Sequence, residues 1–229
     1  MKVKVLSWNI WVFGNFKQVA DFLRQAEADI ICLQEVQADD PDRDLIKYLT
    51  GQGFYCAFVP VKKEWGSKVW NDGPAVFSRY PIIKKENYFL SEKSARAAVR
   101  ADIQIDDKVL HVFSAHLIHT HQQQSDVQEE QGRNLISHLT DSDTLIMGDF
   151  NATPESAIIK TLREKFIDAD PASIPTWSVY PKGCPTCDPQ EVNIRLDYIF
   201  TTPDIRAANF KVQASKASDH LPVSAFIEF

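Results

Sequence analysis

Eight residues in this chain have types suited to holding a hard cation and moving a proton: Asn9, Glu35, His116, Asp149, Asn151, Asp197, Asp219 and His220. Each stands at the end of an apolar run, in "LSWNI", "DIICLQEV", "FSAHL", "LIMGDFN", "RLDYIF" and "SDHLPV". Asp149 poses the problem most sharply, because burying a carboxylate at a strand end costs free energy unless something compensates it. A turn-capping acid before Pro154 is the competing structural explanation for that residue. Carboxylate and amide oxygens suit Mg²⁺ or Mn²⁺, which keep several waters and share a substrate phosphate oxygen. Histidine moves protons near neutral pH, and a carboxylate behind its ring fixes orientation and charge. If the strand ends converge, the inventory fits hydrolysis of a phosphate ester. The sequence offers no Ser-His pair in a nucleophile elbow and no Gly-rich phosphate loop.

These residues require an ordered set of strands. Period-2 and continuously apolar segments predict strands over 2–10, 29–36, 54–60, 74–82, 144–150, 194–200, 207–215 and 221–229, with Asp219-His220 leading into the last. Runs 97–105 and 108–118, separated by "DD", predict a hairpin. Helical periodicity predicts helices over 15–28 (with Asn15 as cap), 42–50, 126–139 and 154–164, the last with Pro154 in its first turn. The Pro-rich stretch 165–193 reads as irregular. About ten strands, many apolar throughout, among four helices imply an α/β (α+β) fold. Its form is a four-layer α/β/β/α sandwich: two packed mixed sheets with helices outside.

The motifs "LSWNIW", "DIICLQEV", "GPAVFSRYPI", "FSAHL", "LIMGDFNATP", "RLDYIF" and "SDHLPV" resemble, in order and spacing, those of the endonuclease/exonuclease/phosphatase superfamily with its deoxyribonuclease-I-like fold. The resemblance runs from about residue 3 to 227. It implies a Mg²⁺- or Mn²⁺-dependent phosphodiesterase or phosphomonoesterase. On that resemblance Glu35 is the principal metal ligand, with Asn9 beside it and Asp219 a second metal-side acid. His220 handles the attacking water with Asp197 behind its ring. Asp149 and Asn151 orient water or a second ion and donate to phosphoryl oxygens. His116, where some members carry a tyrosine, stabilises or protonates the opposite side of the phosphate. Arg96 matches a phosphate-contacting arginine, with Arg100 the competing candidate. The abasic-site repair branch usually carries an acid where this chain has Trp11, which with His116 argues against that branch.

The 229 residues, 44% hydrophobic and 24% charged, suffice for one domain spanning 1–229 with its own core. The net charge of −6 argues against a sequence-independent binder of long nucleic acid, though not against a local basic groove. The first residues lack a secretory pattern and no window would span a bilayer, so the expectation is a cytoplasmic monomer without membrane insertion. Cys32 reads as a buried thiol. Cys184 and Cys187, in "CPTC", have zinc or redox spacing but no second pair. Two segments should decide the substrate. Loop 61–72 interleaves Lys62, Lys63 and Lys68 with Trp65 and Trp70, a pattern that could hold a phosphate backbone and stack a base, or simply be solvated. Loop 176–189 places Trp177 and Tyr180 at the pocket rim. The expected substrate is a phosphate ester, in single-stranded nucleic acid or a small diester. Phospholipid head groups, inositol or sugar phosphates are the alternative, and a catalytically silent scaffold is a third reading.

Overall fold

The computed structural model describes residues 2–178 and 192–229. Two mixed sheets pack face to face. The first runs β12 (Arg206–Val212), β13 (Val223–Glu228), β1 (Lys2–Asn9), β2 (Ile30–Gln37), β5 (Lys68–Ser78), β3 (Tyr55–Phe58), with β4 (Val61–Trp65) also paired to β5. The second runs β10 (Ile167–Asp168), β11 (Asp197–Thr201), β9 (Thr144–Asp149), β8 (Lys108–His116), β7 (Ala97–Ile105), β6 (Ile82–Phe89). Each contains one parallel pair, β1 with β2 and β8 with β9, and is otherwise antiparallel.

Strand period 2 divides the side chains between layers. Val3 and Val5, Ile30 and Cys32, Val99 and Ala101, Leu145 and Met147 meet between the sheets. Leu6, Trp8, Ile31 and Leu33 face outward and are covered by α1 (Phe16–Ala26) and α2 (Leu45–Thr50). Phe113, Ile146, Tyr198 and Phe200 are covered by α3 (Asp126–Ser137) and α4 (Ala157–Lys165). This is the four-layer sandwich expected. In α1, Asn15 caps Gln18 N, and Val19, Ala20, Leu23 and Ala26 form the buried stripe. A fully buried Leu or Val contributes about 1.5–3 kcal/mol.

The departures from the sequence reading have physical causes. Residues 61–72 are not a loop but the β4–β5 hairpin. Strand β6 escaped notice because it is an edge strand whose Lys84, Lys85 and Glu86 break the apolar pattern, as edge strands do to avoid aggregation. Segment 42–50 opens with a 3₁₀ turn, and only Leu45–Thr50 is α-helical. Helix α4 begins at Ala157 with Ser156 at the cap position, so Pro154 precedes it. The last strand starts at Val223, leaving Asp219 and His220 before it. Strand β10 lies within the stretch expected to be irregular. Tyr180, Cys184 and Cys187 lie outside the described residues. Cys32 is a buried thiol, pushed up by burial. No helix among the described residues is long and apolar enough to cross a membrane.

Gly148 lets β9 lie against β8. A Cβ there would come within 2.0 Å of the Ala115 carbonyl oxygen. Gly148→Ala must therefore push apart the strands that carry His116 and Asp149. We expect a stability loss of at least about 2 kcal/mol, read as a lower urea midpoint. A midpoint equal to the native one would contradict this packing.

Candidate active site

The side chains of Asn9, His116, Asp149 and Asp197 continue the parity of the residues between the sheets: they stand two positions beyond Ser7, Ser114 and Met147, and two before Ile199 on β11. They occupy the end of the sandwich where its apolar core stops. Register brings them together: His116 lies opposite Asp149, and Asp149 opposite Asp197. Glu35 has the wrong parity, and a β-bulge corrects it. Register between β2 and β5 shifts between Leu33 and Val36, and Glu35 takes a left-handed backbone with φ 61°. Asn151 is left-handed too, with φ 49°. Such conformations cost free energy and cluster at functional sites.

Asp149 is the hub, and its buried carboxylate is compensated by several neighbours. Its Oδ2 accepts from Asn9 Nδ2 (2.9 Å) and Asn151 Nδ2 (3.2 Å), and its Oδ1 from Asn151 N (2.9 Å). His116 Nε2 and His220 Nε2 stand 3.5 and 3.6 Å from Oδ2. His220 Nδ1 meets Asp197 Oδ2 at 2.9 Å, and Thr176 Oγ1 donates to the same oxygen at 2.6 Å. Asn9 Nδ2 also reaches Glu35 Oε1 at 3.4 Å, while Val12 N donates to Glu35 Oε2 at 2.7 Å. Glu35 and His220 thus belong to one contact chain. Asp219 accepts from Trp177 Nε1 (3.2 Å) and Ser218 Oγ (3.3 Å), and its charge reaches both Glu35 and His220.

Electrostatics set distinct protonation states. Burial lifts the Asp149 carboxyl to about 7, opposed by the His220 charge and reinforced by Asp197. Burial alone would lower the His220 imidazole, but Asp197, Asp149 and Asp219 prevail and hold it well above its ordinary value. His116 lies well below its ordinary value through burial, with Arg96 and Lys63 adding to the effect. Glu35 is raised by burial, then by Asp72 and Asp219.

Two cations border these acids. The Arg96 charge acts on Glu35, Asp72 and His116, whereas Arg100 is tied to Asp102, Glu86 and His111. Lys63 bonds the Ala95 carbonyl and is pushed down to about 8 by burial and Arg96, against the pull of Asp72 and Glu35. Lys62 instead pairs with Glu64 in solvent. Trp177, expected at the rim, is 3% exposed; its ring lies 5.4 Å from His119 and 6.3 Å from His220. Thr176, Asp72 and His119 were missed from sequence. Asp72 alone carried a signal, an acid inside the strand-like "VWNDGPAVF". Both hydrogens of Asn151 Nδ2 are engaged, by Asp149 and by Leu117 O, while its Oδ1 meets His119 Nδ1 at 2.7 Å.

Glu35, Asp219 and Asn9 offer hard oxygen donors, and among the described residues Glu35 Oε1 has one long amide contact while two other carboxylates repel it. That is a donor set a divalent cation would satisfy. Asp149, Asp197 and His220 also bring ligand-type atoms within 4.8 Å of one another. There, the Nδ1···Oδ2 bond engages one ring nitrogen, and a charged ring already compensates both acids.

A family described as "Endonuclease/Exonuclease/phosphatase family" matches residues 6–220. Protein angel homolog 2 of Danio rerio is 27% identical over 194 residues, covering 72% of this chain. The match takes in 32% of that relative, so this chain spans about a third of its length. A crystal structure of an endonuclease/exonuclease/phosphatase from Beutenbergia cavernae DSM 12333 is similar with a TM-score of 0.81 and 20% identity, over 100% of this chain and 72% of that one. The structure of ANGEL2, a 2′,3′-cyclic phosphatase in complex with adenosine-2′,3′-vanadate, gives a TM-score of 0.72 at 17% identity, over 99% and 95% of the two chains.

Proposed function

Because the chain belongs to the endonuclease/exonuclease/phosphatase family, we propose that it is a divalent-metal-dependent phosphoesterase hydrolysing a phosphodiester in single-stranded nucleic acid or a small nucleotide-like diester. The observation that carries this reading is the unbroken contact chain Glu35–Asn9–Asp149–His220–Asp197 in one pocket bordered by Lys63 and Arg96.

In the proposed mechanism, Asn9, Glu35 and Asp219 would hold Mg²⁺ or Mn²⁺, which would supply Lewis-acid stabilisation of phosphoryl charge. Asp197 accepts from Nδ1–H and fixes the His220 ring, leaving Nε2 toward Asp149. A water in reach of both Asp149 Oδ2 and His220 Nε2, which stand 3.6 Å apart, gives its proton to this pair as its oxygen attacks phosphorus; the P–O bond on the opposite side breaks, and the leaving oxygen departs with the bonding pair and takes a proton from solvent. Because the two groups are strongly coupled, the pair titrates as a unit. Asn151 commits both amide hydrogens inside the protein, so its part is to orient Asp149. His116, neutral at pH 7, donates an N–H to a phosphoryl oxygen without adding charge. Lys63 and Arg96 stabilise the negative charge that builds on the equatorial oxygens.

The net charge of −6 and the 2′,3′-cyclic phosphodiester processed by ANGEL2 favour small or single-stranded diesters over duplex DNA. A panel of single-stranded DNA, RNA, duplex DNA, adenosine 2′,3′-cyclic phosphate, sphingomyelin and inositol phosphates, each with Mg²⁺ and Mn²⁺, tests the assignment. Cleavage confined to the last two would overturn it. Among the lysines of β4 and β5, Lys63→Glu should weaken single-stranded oligonucleotide binding most and reduce the salt slope by about 1. Equal effects from Lys62→Glu would remove Lys63 from the phosphate path.

A further inference from the structure

We infer that the cavity between the N-terminal ends of α3 and α4 binds a sugar: a neutral, polyhydroxylated ring esterified to the phosphate being hydrolysed. The inference rests on the phosphodiesterase reading above and names the part of the substrate beside the phosphate. The cavity has a volume of about 310 Å³ and adjoins the catalytic pocket through a shared wall, Asn151. One side of Asn151 holds Asp149; its backbone carbonyl accepts from Gln128 Nε2 at 2.8 Å, and Gln128 lines the cavity. A group bonded to phosphorus would have one side chain's width to cross.

The lining chemistry selects the occupant. Among the described residues lining the cavity there is no aromatic side chain and no cation. A nucleobase would lack a stacking surface, and a second phosphate would meet Glu129 and Glu155 without a compensating charge. Amides, hydroxyls and carboxylates fit the alternating donors and acceptors of a sugar. Two lining residues, Thr120 and Gln122, each carry a buried polar atom, Oγ1 and Nε2, with no hydrogen-bond partner among the described residues. Such groups are costly unless satisfied, and a rotation of either side chain would present its polar atom to a ring hydroxyl. The loop that carries Gln122 is held in an expensive shape, with His121 and Gln122 both left-handed at φ 51° and 59°. The volume is at the lower end of small-ligand pockets, which run about 300–1,000 Å³.

The test compares two p-nitrophenyl esters with the same charge and leaving group, uridine 5′-(p-nitrophenyl phosphate), whose ribose keeps two free hydroxyls, and methyl p-nitrophenyl phosphate, with Mn²⁺. The native protein should favour the sugar ester in kcat/KM by about tenfold or more, equivalent to about 1.4 kcal/mol. Gln122→Leu and Thr120→Val should each lower that ratio, through KM of the sugar ester, by about fivefold, with circular dichroism reporting the fold. A native ratio near one, or a ratio unchanged in both variants, overturns the inference. Should neither ester be cleaved, the phosphodiesterase reading alone fails, and backbone-amide NMR shifts on adding D-ribose and myo-inositol decide the cavity. Saturable shifts confined to residues 120–129 and 153–158, lost in Thr120→Val, support it; no shifts there overturn it.

Discussion

Replacing His220 with alanine is expected to lower kcat for bis(p-nitrophenyl) phosphate with Mn²⁺ by about 10²–10⁴-fold, the range for a positioned proton-transfer group. Three features make it the largest catalytic effect expected. The ring is buried, it is fixed by Asp197 at 2.9 Å, and its Nε2 faces Asp149 at 3.6 Å. Removal also strands Asp197 and Asp149 as buried acids without their cation, so some stability loss accompanies the activity loss. Circular dichroism and an unfolding midpoint separate the two. A folded, fully active His220→Ala protein would remove the residue from the mechanism. Asp197→Asn should lose activity as well, because the amide no longer enforces the ring's tautomer and charge.

Glu35→Gln is expected to raise the dissociation constant for Mn²⁺ by about tenfold or more, a loss of about 1.4 kcal/mol. The amide keeps the shape of the side chain and removes the ligand charge. It also relieves the repulsion from Asp72 and Asp219, so the apoprotein should be no less stable than the native one. Weaker cation binding without lower stability is the signature of a ligand, whereas a structural acid would lose both together. Isothermal titration with unchanged Mn²⁺ affinity would exclude Glu35 from the cation site.

Much of this site was legible in the chain because period 2 is a strict rule. Asn9, His116, Asp149 and Asp197 share the parity of the residues between the sheets, so a polar side chain at the last inward position must sit at the mouth of the core. Glu35 could be suspected from "LQEV", but its approach depends on a bulge that no local pattern announces. Lys63 was grouped with Lys62 and Lys68 because the hairpin that separates them pairs β4 with β5 across a turn, and charge masked the strand pattern. Thr176 and Trp177 reach the site by bridges to Ile194 and His220, contacts set by tertiary packing alone. The edge strand β6 was hidden by the same charges that keep such a strand from pairing with another chain.

Acids and histidines from both sheets meet at one centre, and the proposed hydrolysis depends on a cation held there. The most direct measurement is hydrolysis of bis(p-nitrophenyl) phosphate by the native protein during chelation and cation add-back. Activity should vanish with excess EDTA and return in a saturable way as Mg²⁺ or Mn²⁺ is restored. Hydrolysis that persists at full rate under EDTA, or a folded protein inert with both cations, would contradict it.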